Sequence, residues 1–155
     1  MEIGLLHLHN LLRWVILVVL LWSIVASYTG WKSNKTFSAG DRKVWLVTLI
    51  ASHITLLLGL YQWLLGRFGL FTYVNPEGGS MMKNANLRFF QMEHPLMMII
   101  SVILITLGYG MAKKSVEDGK KYKKAFQYFT VALLLILLSI PWPFREVGRP
   151  LFPGM

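Results

Sequence analysis

The chain reads as an all-α integral membrane protein, a four-helix bundle of antiparallel up-down topology, on three observations. Hydrophobic residues make up 55% of its 155 residues and charged residues only 15%. The mean hydropathy is +0.52, too apolar for a soluble domain of this length. Second, four apolar stretches, roughly 5–28, 43–65, 89–112 and 125–140, suit a hydrocarbon core about 30 Å thick at about 1.5 Å of rise per residue. Third, the basic residues behind the net charge of +9 are sorted by connection. Lys32, Lys35, Arg42 and Lys43 flank or occupy the first, and Lys113, Lys114, Lys120, Lys121, Lys123 and Lys124 the third. The second holds only Arg67, Lys83 and Arg88, and the tail Arg145 and Arg149. The positive-inside rule then places connections one and three in the cytoplasm and both termini on the outer, periplasmic side. Residues 1–155 are expected to form one multi-pass transmembrane domain in a bacterial inner membrane.

The first helix resembles a signal peptide in position, but the first nine residues carry Glu2, two histidines and no Lys or Arg, so the basic n-region is missing. The connection from Trp31 to Arg42 contains Asn34, Ser38, Gly40 and Asp41 and reads as a polar turn. Its shortness makes helices one and two antiparallel neighbours. The connection from Arg67 to Arg88 is the longest. It contains Asn75-Pro76-Glu77-Gly78-Gly79, a turn signal, beside Phe68, Phe71 and Tyr73, which suit the outer interface. Glu93-His94-Pro95 either opens the third helix or kinks it after a preliminary turn from Phe89, because proline is tolerated in a first turn. Lys113 to Lys124 forms a hairpin around Asp118-Gly119. The fourth helix ends near Pro141-Trp142-Pro143, and the tail from Phe144 to Met155, rich in proline and aromatics, suits a fold back over the outer mouth.

Several chemistries drop out. The chain has no cysteine, which removes disulfides, thiolate metal sites, covalent haem attachment and cysteine nucleophiles. It has no Gly-rich phosphate loop and no Gly-x-Ser-x-Gly elbow, so phosphoryl and acyl transfer lack support. Nucleic acid is not an expected partner, since no soluble surface interleaves aromatic and basic residues. No Lys lies within an apolar span to form a retinal Schiff base.

What remains is histidine. His7, His9, His53 and His94 all lie inside or at the mouth of an apolar segment, where an ionisable ring is costly and marks a candidate site. In the first helix His9, Arg13, Ser23 and Ser27 fall within about 40° of one line, a polar stripe that should face the bundle interior. His7 lies about 160° from His9 and reads as an interfacial ring bonded to water or headgroups. Thr48, Ser52, Thr55, Gly59 and Gln62 form a small, polar seam on the second helix. His53 lies about 140° away among leucines, so it needs a cofactor, another subunit, or a hydrogen bond to Gln127, Thr130 or a backbone carbonyl. His94, Ser101 and Gly108 recur on one face of the third helix.

Three readings fit this constellation. The first is haem b held non-covalently by imidazoles on facing helices, with cations such as Arg13, Arg88 and Arg145 near its carboxylates. Axial partners must share a depth. His9 and His94 both lie within about 10 Å of the outer helix ends and His53 about 18 Å down, so the favoured pair is His9 with His94. His53 would serve a second haem, a quinone contact or a site shared by two copies. The second reading is a Cu or Zn site at the outer surface from His7, His9, Glu93 and His94, which needs an extended start so that His7 and His9 point one way. The third is a non-redox accessory or assembly subunit whose polar residues make interhelical contacts.

The stretches Leu6-His-Leu-His-Asn-Leu-Leu-Arg-Trp14, Ser52-His-Ile-Thr-Leu-Leu-Leu-Gly-Leu-Tyr-Gln-Trp63, Glu93-His94 and Ile140 through Met155 resemble a family of small four-helix bacterial membrane proteins labelled cytochrome b-like. The resemblance covers nearly the whole chain. It implies haem-linked electron transfer in a respiratory membrane rather than stand-alone enzyme activity, with His53 and His94 among the ligand positions. The depth argument instead pairs His94 with His9. Expected partners are the lipid bilayer and other membrane subunits or a second copy.

Overall fold

A computed structural model describes residues 2–73 and 80–152. Four helices organise it: α1 (Glu2–Lys32), α2 (Ala39–Leu65), α3 (Ala85–Lys113) and α4 (Asp118–Ser139). Helix α1 packs against α2 and α4, and α3 packs against the same two. The helices overrun the apolar stretches at most of their ends, because a helix stops where its backbone is capped or broken and not where hydropathy falls.

Asn34, in the left-handed region at φ 50°, turns the chain after α1. Ser38 then caps α2: its hydroxyl accepts from the Asp41 N–H at 3.2 Å, and the Asp41 carboxylate accepts from the Ser38 N–H at 3.1 Å. This reciprocal box satisfies two donors of the first turn. The polar turn expected from Trp31 to Arg42 is therefore shorter, its first and last residues belonging to the two helices. The turn signal from Asn75 to Gly79 lies outside the described residues.

Helix α3 is composite. A short α turn (Ala85–Arg88), capped by the Asn84 side chain, passes into a π turn (Phe89–Glu93), then a regular α-helix (His94–Gly110) and a final 3-10 turn (Met111–Lys113). The regular α-helix opens at Glu93-His94-Pro95, with the proline in its first turn, after the preliminary α and π turns. Pro95 has no N–H to give the preceding turn, and the indole N–H of Trp63 donates instead to the Gln91 carbonyl at 2.8 Å. Helix α4 ends at Ser139, two residues before Pro141.

Polarity is arranged inside out. Ser23, Ser27, Thr48, Ser52, Thr55, Ser101 and Ser139 are buried, while Val18, Trp22, Ile54, Leu57, Ile103 and Leu138 are exposed. Most of the buried hydroxyls bond one another or their own helix, as Ser23 Oγ with Thr48 Oγ1 at 2.8 Å and Ser101 Oγ with the Met97 carbonyl at 2.7 Å. Small polar residues inside and bulky apolar residues outside are the pattern of helices that pack in lipid. Three of the four helices are long and apolar enough to cross a membrane. The fourth spends Lys120, Lys121, Lys123 and Lys124 in its first turns, and its apolar run is correspondingly short.

The two ends of the bundle differ. At one end the first and third connections meet, where the Phe37 N–H donates to Asp118 Oδ2 at 2.9 Å and the Tyr122 hydroxyl to Asp41 Oδ2 at 2.8 Å. Trp45, Tyr122 and Phe129, all fully buried, fill the interior there with edge-to-face contacts of 5.7 to 5.9 Å. Gly30 and Gly108 make room, since a Cβ at either would lie 2.5 Å from the ring of Tyr122 or Phe129 respectively. The other end is not filled.

Candidate functional site

Toward that open end lies a cavity of about 500 Å³ lined by all four helices and the tail, within the range of about 300–1,000 Å³ usual for ligand pockets. Its walls are largely apolar, among them Ile16, Leu56, Leu60, Met98, Ile99 and Ile136. The polar side chains reaching it include His7, His9, Arg13, Gln62, His94 and Arg149.

His9 and His94 meet there. Their ring centroids are 6.3 Å apart and their planes inclined by 74°. His9 stands on the interior stripe of α1, one turn before the buried Arg13. Its ring rests over Gly59, where an added Cβ would lie 3.2 Å from His9 Cε1. Its Nδ1 is buried with no hydrogen-bond partner, a condition native proteins avoid unless something else occupies the site.

His94 is held from the opposite wall. Its Nδ1 is 2.8 Å from the Ser139 carbonyl and 3.1 Å from Ser139 Oγ. A carbonyl only accepts, so Nδ1 carries the proton and the neutral ring keeps its lone pair on Nε2. An N–H bonded to a backbone carbonyl is how a metal-binding imidazole is usually oriented. The π turn delivers this ring, and Phe89, buried within the turn, lies 5.8 Å from it. Single-turn π segments are frequent at functional sites.

The other sequence candidates go elsewhere. His53 is exposed on the flank of α2 beside Ile50, Ile54 and Leu57, and its Nδ1 donates to the Leu49 carbonyl at 2.9 Å. Of the partners considered for it, the backbone carbonyl is the one present. His7 lines the cavity too, and its buried Nδ1 has no partner among the described protein atoms. The start of the chain is helical and not extended, so His7 and His9 cannot chelate one ion. Glu93 pairs with Arg88 at 2.8 Å. Among the described residues no group of three or more His, Cys, Asp or Glu is placed to hold a metal ion, so the outer Cu or Zn set is not assembled.

Of the three arginines proposed from sequence, Arg13 alone lines the cavity, its Nη2 donating to the Leu151 carbonyl at 2.6 Å. Arg88 and Arg145 border a separate cleft of about 290 Å³, and Arg145 donates to the Leu138 carbonyl at 2.8 Å. The tail does fold back: the Trp14 indole donates to the Leu151 carbonyl at 3.1 Å, and Trp14 stacks on Phe152 at 5.6 Å. That fold brings in Arg149, and the α2–α3 connection brings in Arg67. Neither arginine was marked by the sequence, where nothing distinguishes them from interfacial cations.

Compared with protein-family models, curated proteins and solved structures, the chain matches none.

Proposed function

We propose that this chain is a membrane-embedded b-type cytochrome-like protein, holding non-covalent haem b between His9 and His94 and passing electrons as a small subunit or partner of a respiratory complex. The observation that carries this reading is the histidine pair on the wall of a large, mostly apolar cavity. A centroid separation of 6.3 Å is about what two imidazoles need when each places a nitrogen about 2 Å from a shared metal ion. The orphaned His9 Nδ1 and the cavity that both rings line favour a bound group. When bound, haem supplies a one-electron couple whose potential follows its axial ligands and surroundings.

The chain's own residues then have distinct tasks. Ser139 fixes the tautomer and rotation of His94. Gly59 leaves room for the His9 ring, and Arg13 contributes positive charge at the same wall. Ile16, Leu60, Met98 and Ile136 contribute apolar wall to the cavity.

The bundle is proposed to be antiparallel, with α4 also crossing the bilayer, both termini periplasmic and the lysine-rich connections cytoplasmic, in a bacterial inner membrane. The meeting of the first and third connections through Phe37 and Asp118, and of α2's end with α1's start through Gln62 Nε2 and the Leu5 carbonyl at 3.0 Å, supports that topology. Other membrane subunits, or a second copy, would cover the flank bearing His53.

The test is the absorption spectrum of the purified full chain made with ample haem supply. A Soret band with a sharp alpha band on reduction is expected. A reduced-minus-oxidised difference without either band would remove the redox reading in favour of an accessory subunit.

A further inference from the structure

Two cations stand together at the cavity mouth. The Arg149 guanidinium lies 4.8 Å from the centroid of Phe90 and 5.4 Å from that of Phe68, and the Arg67 guanidinium lies 5.6 Å from Phe68. The two rings stack, with centroids 5.4 Å apart and planes 5° from parallel. Arg149 is held at its backbone too, its N–H donating to the Pro141 carbonyl at 2.9 Å.

This arrangement is unfavourable on its own. Burial, and then the neighbouring Arg67, lower the hold of Arg149 on its proton, since like charges brought together in a partly desolvated place repel. The ion pairs among the described residues join Lys35 to Asp41, Arg88 to Glu93 and Lys121 to Asp118, and none of them engages Arg67 or Arg149. Both arginines line the cavity that holds His9 and His94. Stacked guanidiniums at the rim of an apolar cavity suit a ligand with an apolar body and carboxylates at one edge, because Arg presents paired donors that match a carboxylate.

We propose that Arg67 and Arg149 bind the two carboxylate side chains of the haem held by His9 and His94, so that the carboxylate edge faces the mouth between the α2–α3 connection and the tail. The proposal rests on the haem reading above and adds to it an orientation and two residues. It gives the tail a task, since Arg149 reaches the rim only because residues after Pro141 fold back.

The full-length chain, prepared in detergent without haem, is to be titrated separately with haem b and with its dimethyl ester, following the Soret band. The unmodified chain should bind haem b about tenfold more tightly than the ester, or more, as expected for losing charge-assisted hydrogen bonds. Arg149→Gln should erase most of that preference by weakening haem b binding, with the affinity for the ester little changed, and Arg149→Lys should keep part of it. Equal affinity of the unmodified chain for both porphyrins, with a Soret band formed, would overturn the carboxylate anchor and leave the haem reading standing. No Soret band with either would overturn both. The comparison in the unmodified chain decides even where a variant fails to fold.

Discussion

His9 and His94, on helices α1 and α3, meet in a T-shaped arrangement with ring centroids 6.3 Å apart, each fixed by a different device. His94 is tied through Nδ1 to Ser139 of α4, and His9 is seated over Gly59 of α2. All four helices thus converge on one pair of rings.

The histidines should not be equivalent. His94→Ala and His9→Ala are each expected to abolish the low-spin haem spectrum, while His53→Leu should leave it unchanged, because His53 is exposed and bonded to its own helix. Optical and EPR spectra of the three variants at equal protein concentration check this. Loss of signal in His53→Leu with retention in His9→Ala would reverse the assignment.

Gly59 is expected to tolerate little. An alanine Cβ would sit 3.2 Å from His9 Cε1, so Gly59→Ala should force the ring to shift by a few tenths of an ångström. Gly59→Val should displace it altogether. Overpacking of this kind costs about 1–3 kcal/mol. Haem retained per chain after gel filtration should fall in the order glycine, alanine, valine.

At the packed end, Gly30→Ala and Gly108→Ala should destabilise the bundle without touching the cavity. Each Cβ would fall 2.5 Å from a ring carbon of fully buried Tyr122 or Phe129. A loss of about 1–3 kcal/mol is expected, visible as a lower melting temperature in detergent. The spectrum of the folded fraction should be unaltered.

Tyr122 gives a pH dependence. Burial, and then its hydrogen bond to Asp41, hold its hydroxyl above the ordinary tyrosine range. A group whose folded value is raised contributes stability that is whole below the unfolded value, about 10 for tyrosine, and is lost as pH rises further. Tyr122→Phe should therefore be less stable than the unmodified chain at neutral pH. The gap should close above about pH 10, as read from melts across pH; a gap that widens there would contradict the assignment.

Much of the bundle was legible along the chain. The interior stripe of α1 follows from the spacing of Arg13, Ser23 and Ser27, all buried, since a helix that must face both lipid and neighbours hides its polar residues on one line. The end of α4 is written in Pro141 and Pro143, and depth counted from rise per residue already paired His9 with His94. Local rules suffice there because periodicity and proline act within a few residues.

Only tertiary structure decided the rest. Which ring seats over Gly59, which carbonyl turns His94, and which arginines reach the cavity depend on residues distant in sequence approaching across helices. Arg88 and Arg145 were drawn off by Glu93 and by the carbonyls at the end of α4, while Arg67 and Arg149 arrived on a connection and a folded-back tail. Periodicity assigns a residue to a face and a depth. It does not say what stands opposite, and a binding site consists of what stands opposite.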